Sequence, residues 1–331
     1  MSMPNELKQT KEIGRKEILL SVARAPQSSR VFWGASDGKV YSTDLAAEKP
    51  EFQEWTGHTS YVTGVALAGK TLVSGSYDGR LIWRDSESGA VVREGEAHAK
   101  WIRKVVASHD GKWVASIADD MVCRVWNAAD GKLVHELRGH EAKTPQHFPS
   151  MLYACAFSAD GTRLATADRV GHIVVWDVAE GKQLAAVETP VMYTWDPKQR
   201  IHAIGGPRSV AFSPDGKLLA IGGMGQVGNI DHLEGKARVE IFDWQKGERT
   251  HEFPGDQFKG LVERLIFAPS GEWLLGLGGD NGGFGQLFDI PGNRVAKQEK
   301  APTHIHDATL NEAADQIVVA AHNKLLIWQV G

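Results

Sequence analysis

The sequence predicts an all-β chain of seven four-stranded antiparallel sheets, packed on one another around an axis. Three observations carry that expectation. Short apolar runs closed by turn residues come in fours. The groups of four recur along the whole chain. The last group is one strand short, while the N-terminus has a strand to spare. Residues 62–98 show the unit most plainly. Four runs, at 62–67, 71–76, 80–83 and 90–94, are rich in Val, Leu, Ile and Thr and are closed by turns such as Tyr77-Asp78-Gly79. Such runs read as strands. Turns this short make consecutive strands pair antiparallel. A single sheet of this size has two apolar faces and needs copies of itself on both sides.

The copies are present, at a spacing of about 40 to 55 residues. The first unit spans 18–58, and the second follows from 62. The third and fourth occupy 101–140 and 152–188. The fifth opens at Pro207, with a third strand at 239–244. The sixth opens at Leu261, and the seventh runs from His304 to the end. That last unit stops after three strands. Residues 6–13 precede the first unit with no role there, so they are expected to supply its missing outer strand and remove an unpaired edge. Residues 1–5 are expected to trail as a disordered tail, leaving 6–331 as one domain.

Several motifs recur at the repeat period: Gly57-His58 and Gly139-His140, SGSYDG at 74–79, SADG at 158–161, SPDG at 213–216, and Trp176-Asp177. On these motifs the chain resembles the WD-repeat (WD40) β-propeller family, and the resemblance covers nearly its whole length. It implies a seven-bladed propeller. It also implies a hydrogen-bonded network in each blade, linking a His before the first strand, a Ser or Thr on the second, an Asp near the following turn and a Trp on the third. Blade two offers His58, Ser74 or Ser76, Asp78 and Trp83. Blade three offers His98, Ser116, Asp120 and Trp126. Blade four offers His140, Thr166, Asp168 and Trp176, with Asp168 further from its Trp than usual. A Ser-His-Asp set invites a hydrolase reading. Recurrence at the repeat period favours a structural one, because a satisfied buried network stiffens a sheet. The first, fifth and sixth units place Ser42, Phe242 and Phe288 near the Trp position and lack the Gly-His pair. Packing is expected to hold those blades.

Composition narrows the function classes. The formal net charge of −4 lacks the basic footprint of a nucleic-acid binder. No apolar run is long enough to span a membrane, and the first 30 residues hold no continuous apolar signal core. Two cysteines, Cys123 and Cys155, read as small core residues rather than a disulfide framework. A cytoplasmic location and a monomer are the default expectations. Gly223, Gly225 and Gly228 form a G-x-G-x-x-G, but the following residues enter a strand, so no helix N-terminus is available for a pyrophosphate. His304 and His306 share a strand face aimed at the central channel. Without further ligands in view they read as channel-lining groups, not a metal site. No cofactor is expected.

Surplus length is the most informative feature. Insertions at 141–150, 188–206 and 224–237 lengthen the fourth-to-first connections after blades three and four and the second-to-third connection of blade five. In a four-stranded meander both kinds of connection emerge at one end, so all three are expected on one face. Long loops in compact domains are usually functional or disordered. Their content suits recognition. The first brings Phe148, the second Tyr193, Trp195, Arg200 and His202, and the third Asp231 and His232. At the channel rim of the same face stand Tyr61, Trp101, Met151, Leu261 and His304, with Arg103, Tyr153, Arg208 and Glu263 one step further in. The expected function is a non-enzymatic scaffold that binds a protein or peptide there, around blades three to five. The alternative is a propeller enzyme or a small-ligand or metal binder that uses His147, His202, Asp231 and His232 with the channel mouth.

Overall fold

The second strand of every repeat is a run of apolar and small residues buried along almost its whole length, as a strand covered on both faces must be. In the computed structural model, which describes residues 3–197 and 202–331, these strands stand in seven four-stranded antiparallel sheets. Blade one comprises Leu19–Arg24, Arg30–Ala35, Val40–Asp44 and Gln53–Trp55. Blade two comprises Val62–Ala68, Thr71–Ser76, Arg80–Asp85 and Val91–Glu96, and blade three Ile102–Ala107, Trp113–Ala118, Cys123–Asn127 and Leu133–Leu137. Blade four is Leu152–Phe157, Arg163–Asp168, His172–Asp177 and Lys182–Glu188, and blade five Ser209–Phe212, Leu218–Met224, Ala237–Asp243 and Glu248–Phe253. Blade six is Leu261–Phe267, Trp273–Gly279, Gly283–Asp289 and Arg294–Ala301. In blade seven, Ile305–Leu310, Gln316–Ala321 and Lys324–Val330 are joined by Leu7–Gly14, which pairs antiparallel with Lys324–Val330 from Leu7↔Val330 to Gly14↔Lys324.

First strands of successive blades touch in order, and that of blade seven touches that of blade one. The chain is therefore a seven-bladed β-propeller. One apolar cluster fills each junction between neighbouring blades. Leu81, Trp83, Val105 and Trp126 lie between blades two and three, and Trp33, Leu19, Val318 and Leu325 between blades one and seven. Each such side chain contributes roughly 1.5–3 kcal/mol by leaving water. The sheets approach closely where side chains are small. A Cβ on Gly64 would stand 2.5 Å from the backbone nitrogen of Val105 in the next blade. The cysteines, Cys123 and Cys155, are free and buried at the junction of blades three and four, where burial pushes the Cys155 thiol up to about 12.

Of the five N-terminal residues, Met3 packs against the junction of blades six and seven, and the Asn5 N–H donates to Gly331 O at 2.6 Å.

A register shift recurs in the first strands and decides what lines the axis. The pairing skips Leu20, Thr63, Arg103, Tyr153, Glu263 and His306, one in each blade but the fifth. In blade five Arg208 immediately precedes the strand. Bulged residues are re-aimed out of the ladder, and all seven line one cavity on the axis.

Candidate functional site

Three adjacent blades carry buried polar networks. In blade three the Trp126 indole N–H donates to Ser116 Oγ at 3.0 Å, Ser116 Oγ meets His98 Nε2 at 2.7 Å, and His98 Nδ1 meets Asp120 at 3.1 Å. Blade four repeats this with Trp176, Thr166, His140 and Asp168, at 2.9, 2.8 and 3.0 Å. Asp168 ends the second strand, two residues ahead of the slot of Asp78 and Asp120. It still reaches His140, while its other oxygen accepts the Val170 and His172 N–H groups. In blade two His58 joins Ser74 at 2.9 Å and Asp78 at 3.0 Å. These imidazoles are held by side chains inside the sheet, with no open position for a reacting group.

Trp83 does not belong to the blade-two network. Ser74 pairs with Ile82 as Ser116 pairs with Arg124 and Thr166 with Val174, so the position equivalent to Trp126 and Trp176 is Arg84. A one-residue offset sends a strand side chain to the other face. Trp83 accordingly packs edge-on against Trp126 at 6.0 Å, its indole N–H without a partner. Arg84 is buried, and its guanidinium caps the carbonyls of Gly89 and Thr56. In blade one the same register puts Thr43, not Ser42, at the Trp position, and Phe242 and Phe288 do occupy it in blades five and six. Arg84→Ala takes the donor from the buried Gly89 carbonyl and from the outer one of Thr56 and is expected to cost about 1–3 kcal/mol, read as a lowered urea midpoint. An unchanged midpoint would show that the guanidinium supplies nothing there.

Antiparallel alternation puts the fourth-to-first and second-to-third connections at one end of the disc, where the second insertion touches the third and Arg169 bridges it to the first. Insertion 141–150 folds back through the Thr144 N–H to Phe148 O at 2.8 Å. Within 188–206 a short 3-10 turn, Pro190–Met192, leads into a hairpin of Tyr193–Asp196 and His202–Gly205. Arg169, in the second-to-third turn of blade four, ties these two insertions by donating to Pro149 O at 3.0 Å and Ala203 O at 2.5 Å. The third insertion joins the second through the Val227 N–H to Thr194 Oγ1 at 3.2 Å and an apolar cluster of Val227, Ile230, Leu261 and Ile204. Tyr193 is buried, Phe148 half-buried, and Trp195, His202, Asp231 and His232 are exposed. Arg200 lies outside the described residues.

Beside the insertions runs a strip of aromatic and guanidinium groups. Tyr61 and Trp101 are about half exposed, at 47% and 52%. Tyr77 is stacked between them, with centroids 5.7 Å from Tyr61 and 4.6 Å from Trp101. Arg103 extends the strip. It donates to the Tyr77 hydroxyl at 2.7 Å, pairs with both oxygens of Asp119, and reaches Met151 Sδ at 3.7 Å. Arg208 lies 3.5 Å over the ring of Tyr153. A cavity of about 400 Å3 opens along Tyr77, Gly79, Lys100, Trp101 and Asp119. Leu261, expected at the rim, is instead buried in the cluster under the third insertion. His304 and His306 pack with tilted rings, centroids 4.5 Å apart, and Glu263 stands 3.7 Å from His304 and raises its pKa against the effect of burial.

Tyr77 and Arg169 are missing from the sequence-derived site. Both occupy the position after the second strand, where the backbone N–H of residues 77, 119 and 169 donates to the carbonyls of Tyr61, Trp101 and Met151. Applying the repeat to that position would have found them.

Among the described residues no three His, Cys, Asp or Glu side chains are placed to hold a metal ion, and no helix is long and apolar enough to cross a membrane. The family model for the WD domain, G-beta repeat, matches residues 50–84, 89–127 and 131–177. Those segments end in blades two, three and four, the ones with His-centred networks. Telomerase protein component 1 of Mus musculus is 25% identical over 262 residues, 78% of this chain and 9% of the relative. Apoptotic protease-activating factor 1 of Rattus norvegicus is 25% identical over 224 residues, 67% of this chain and 17% of the relative. Nuclear distribution protein PAC1-2 of Uncinocarpus reesii is 33% identical over 177 residues, 48% and 35% respectively. The chain thus spans well under two thirds of each relative's own length. With the matched repeats seated in three consecutive sheets of a seven-sheet ring, the chain is a seven-bladed β-propeller that carries WD repeats.

Proposed function

We propose that this propeller is a non-catalytic scaffold that binds a protein or peptide on the face formed by its insertions and the channel rim. The observation that carries the reading is the half-exposed pair Tyr61 and Trp101, stacked on Tyr77, beside insertions of which the second is bonded to the third and tied to the first through Arg169. Aromatic residues held rigidly at a surface contribute binding area at low entropic cost. The His-Ser/Thr-Asp sets are spent on holding blades together, which supports a scaffold over a hydrolase. The likeness to long proteins that match over only part of their length fits a propeller used as an interaction module.

The test is affinity capture from the native host with three baits: the natural protein, a Tyr61→Ala/Trp101→Ala variant, and a Val92→Ser/Leu133→Ser control on the outer strands. Truncating a hot-spot aromatic costs about 2 kcal/mol or more, so the double rim variant is expected to lose its partner while the control keeps it. Retention of the same partners by the rim variant, with an unchanged melting temperature, would move the binding surface elsewhere.

A further inference from the structure

The charges at the channel mouth do not cancel. Arg103 is matched by Asp119 through two short contacts, at 2.6 and 2.7 Å. Asp307 is shared by Arg264 at 3.5 Å and Lys104 at 3.9 Å. Glu263 faces His304 at 3.7 Å. Arg208 has no carboxylate within ion-pair distance among the described residues. Its Nη1 is held by the carbonyls of Gly205 and Gly206, at 3.1 and 3.4 Å, and its plane is fixed over Tyr153. The Nε–Nη2 edge carries no hydrogen bond among the described residues. Below it lies the axial cavity of about 120 Å3, the liquid volume of roughly four waters. Ser21 Oγ, buried and without a partner, lines it, as do Thr63, Lys104 and His306. Arg103, Lys104, Arg208 and Arg264 thus outnumber Asp119, Glu263 and Asp307, in a chain whose formal charge is −4.

A planar, pre-oriented guanidinium with one free edge matches a carboxylate in geometry and in charge. We infer that the partner is an acidic peptide: one of its side-chain carboxylates enters the channel mouth and forms a bidentate pair with Arg208, while neighbouring apolar side chains lie along Tyr61, Tyr77 and Trp101. This rests on the docking face proposed above and names the chemistry of what docks. Lys104 and the hydroxyl of Ser21 supply further donors below the fork, while the Thr63 hydroxyl donates to Ile102 O at 2.5 Å and can only accept. A cationic segment would meet the surplus positive charge and be disfavoured.

The experiment is selection of displayed random heptapeptides on the full-length protein, followed by affinities of the synthetic winners. Enrichment of Asp or Glu at one shared position is expected. Changing that residue to Asn or Gln, or Arg208→Gln in the protein, should each weaken binding about tenfold, a change of about 1.4 kcal/mol. The two changes together should cost little more than either alone, since both remove one interaction. Arg208→Lys, which keeps the charge and loses the fork, should fall between. Winners without an acidic position, or no coupling to Arg208, overturn the carboxylate assignment. If such winners still depend on Trp101, the docking face stands and only the chemistry is wrong. Winners indifferent to both Trp101→Ala and Arg208→Gln, or no winners at all, sink both. Full displacement of winners by millimolar acetate or inorganic phosphate would assign the fork to a free small anion and overturn the peptide.

Discussion

Glu240→Ala will cost the fold about 3–5 kcal/mol, the range for breaking a buried ion pair from one side. Blade five has neither the His nor the Trp of blades three and four, and packing alone was expected to hold it. The structure shows another device. Glu240 pairs with Ile221 in the register that sets Arg124 against Ser116 and Val174 against Thr166. From that slot Glu240 Oε1 meets Arg238 Nε at 2.7 Å and Oε2 meets Arg249 Nη1 at 3.0 Å, while Glu252 closes the square at 2.5 and 2.6 Å. The Glu240 side chain is 1% exposed and that of Arg238 7%. Removing Glu240 leaves the Arg238 guanidinium buried with half its partners. Arg249 is far more exposed and can turn to water, so Arg249→Ala should cost under about 1 kcal/mol. An Arg238→Met/Glu240→Leu double variant removes both charges and fills the space with apolar groups. It should recover most of the loss, because the desolvation penalty disappears along with the attraction. Guanidinium unfolding midpoints decide this. A double variant as unstable as Glu240→Ala would mean that packing around those side chains, not charge, sets the cost.

Blade five also shows why some of this molecule was legible in its sequence and some was not. Strand runs and their turns are local signals, so the repeat and the end at which each insertion emerges could be read directly. The network of blade three could be read too, since Ser116 and Trp126 stand at the usual spacing. Trp83 misled because a strand alternates faces with every residue: one step from Trp83 to Arg84 exchanges the junction with blade three for the position that holds Trp126 and Trp176 in their own blades. Counting back from Asp85, which matches Asp177 at the strand end, would have chosen Arg84. The ties from Arg169 to two insertions and from Val227 to Thr194 join residues 20 to 34 positions apart, each with a backbone atom at one end, and the side chain of that partner does not encode the contact. The Glu240 square is intermediate. Its four charges are plain in the sequence, yet alternating Arg and Glu on a strand read as a solvated edge until the register buries Arg238 and Glu240.

Asp120→Asn should cost about 2–3 kcal/mol at neutral pH, and this cost should shrink as the solution is acidified. Burial works to raise the Asp120 pKa, but His98, Arg124 and the Val122 N–H outweigh it and hold the carboxyl well below the usual range. Asp78 is treated the same way by burial on one side and by His58 with the Thr59 and Arg80 N–H groups on the other, and is held at about 2. A carboxyl whose folded value lies below its unfolded value near 4 stabilises the fold above pH 4, and loses that contribution as pH falls through the folded value. For Asp78 the amount is about 2 kcal/mol. Two imidazoles act earlier. Burial lowers the His98 pKa, and burial together with the neighbouring His304 lowers that of His306 to about 4. Each is neutral in the fold and charged in the unfolded chain just below its ordinary value near 6.5, so stability begins to fall there. The protein should therefore weaken in two stages, from pH 6.5 downward through His98 and through His306, the latter to about 4, and below 4 through Asp78 and Asp120. Unfolding midpoints of the natural protein and Asp120→Asn at pH 7, 5 and 3 check the sign. The gap between them should narrow at pH 3, and a gap that stays constant across the series would show that the charge of Asp120 contributes nothing beyond its shape.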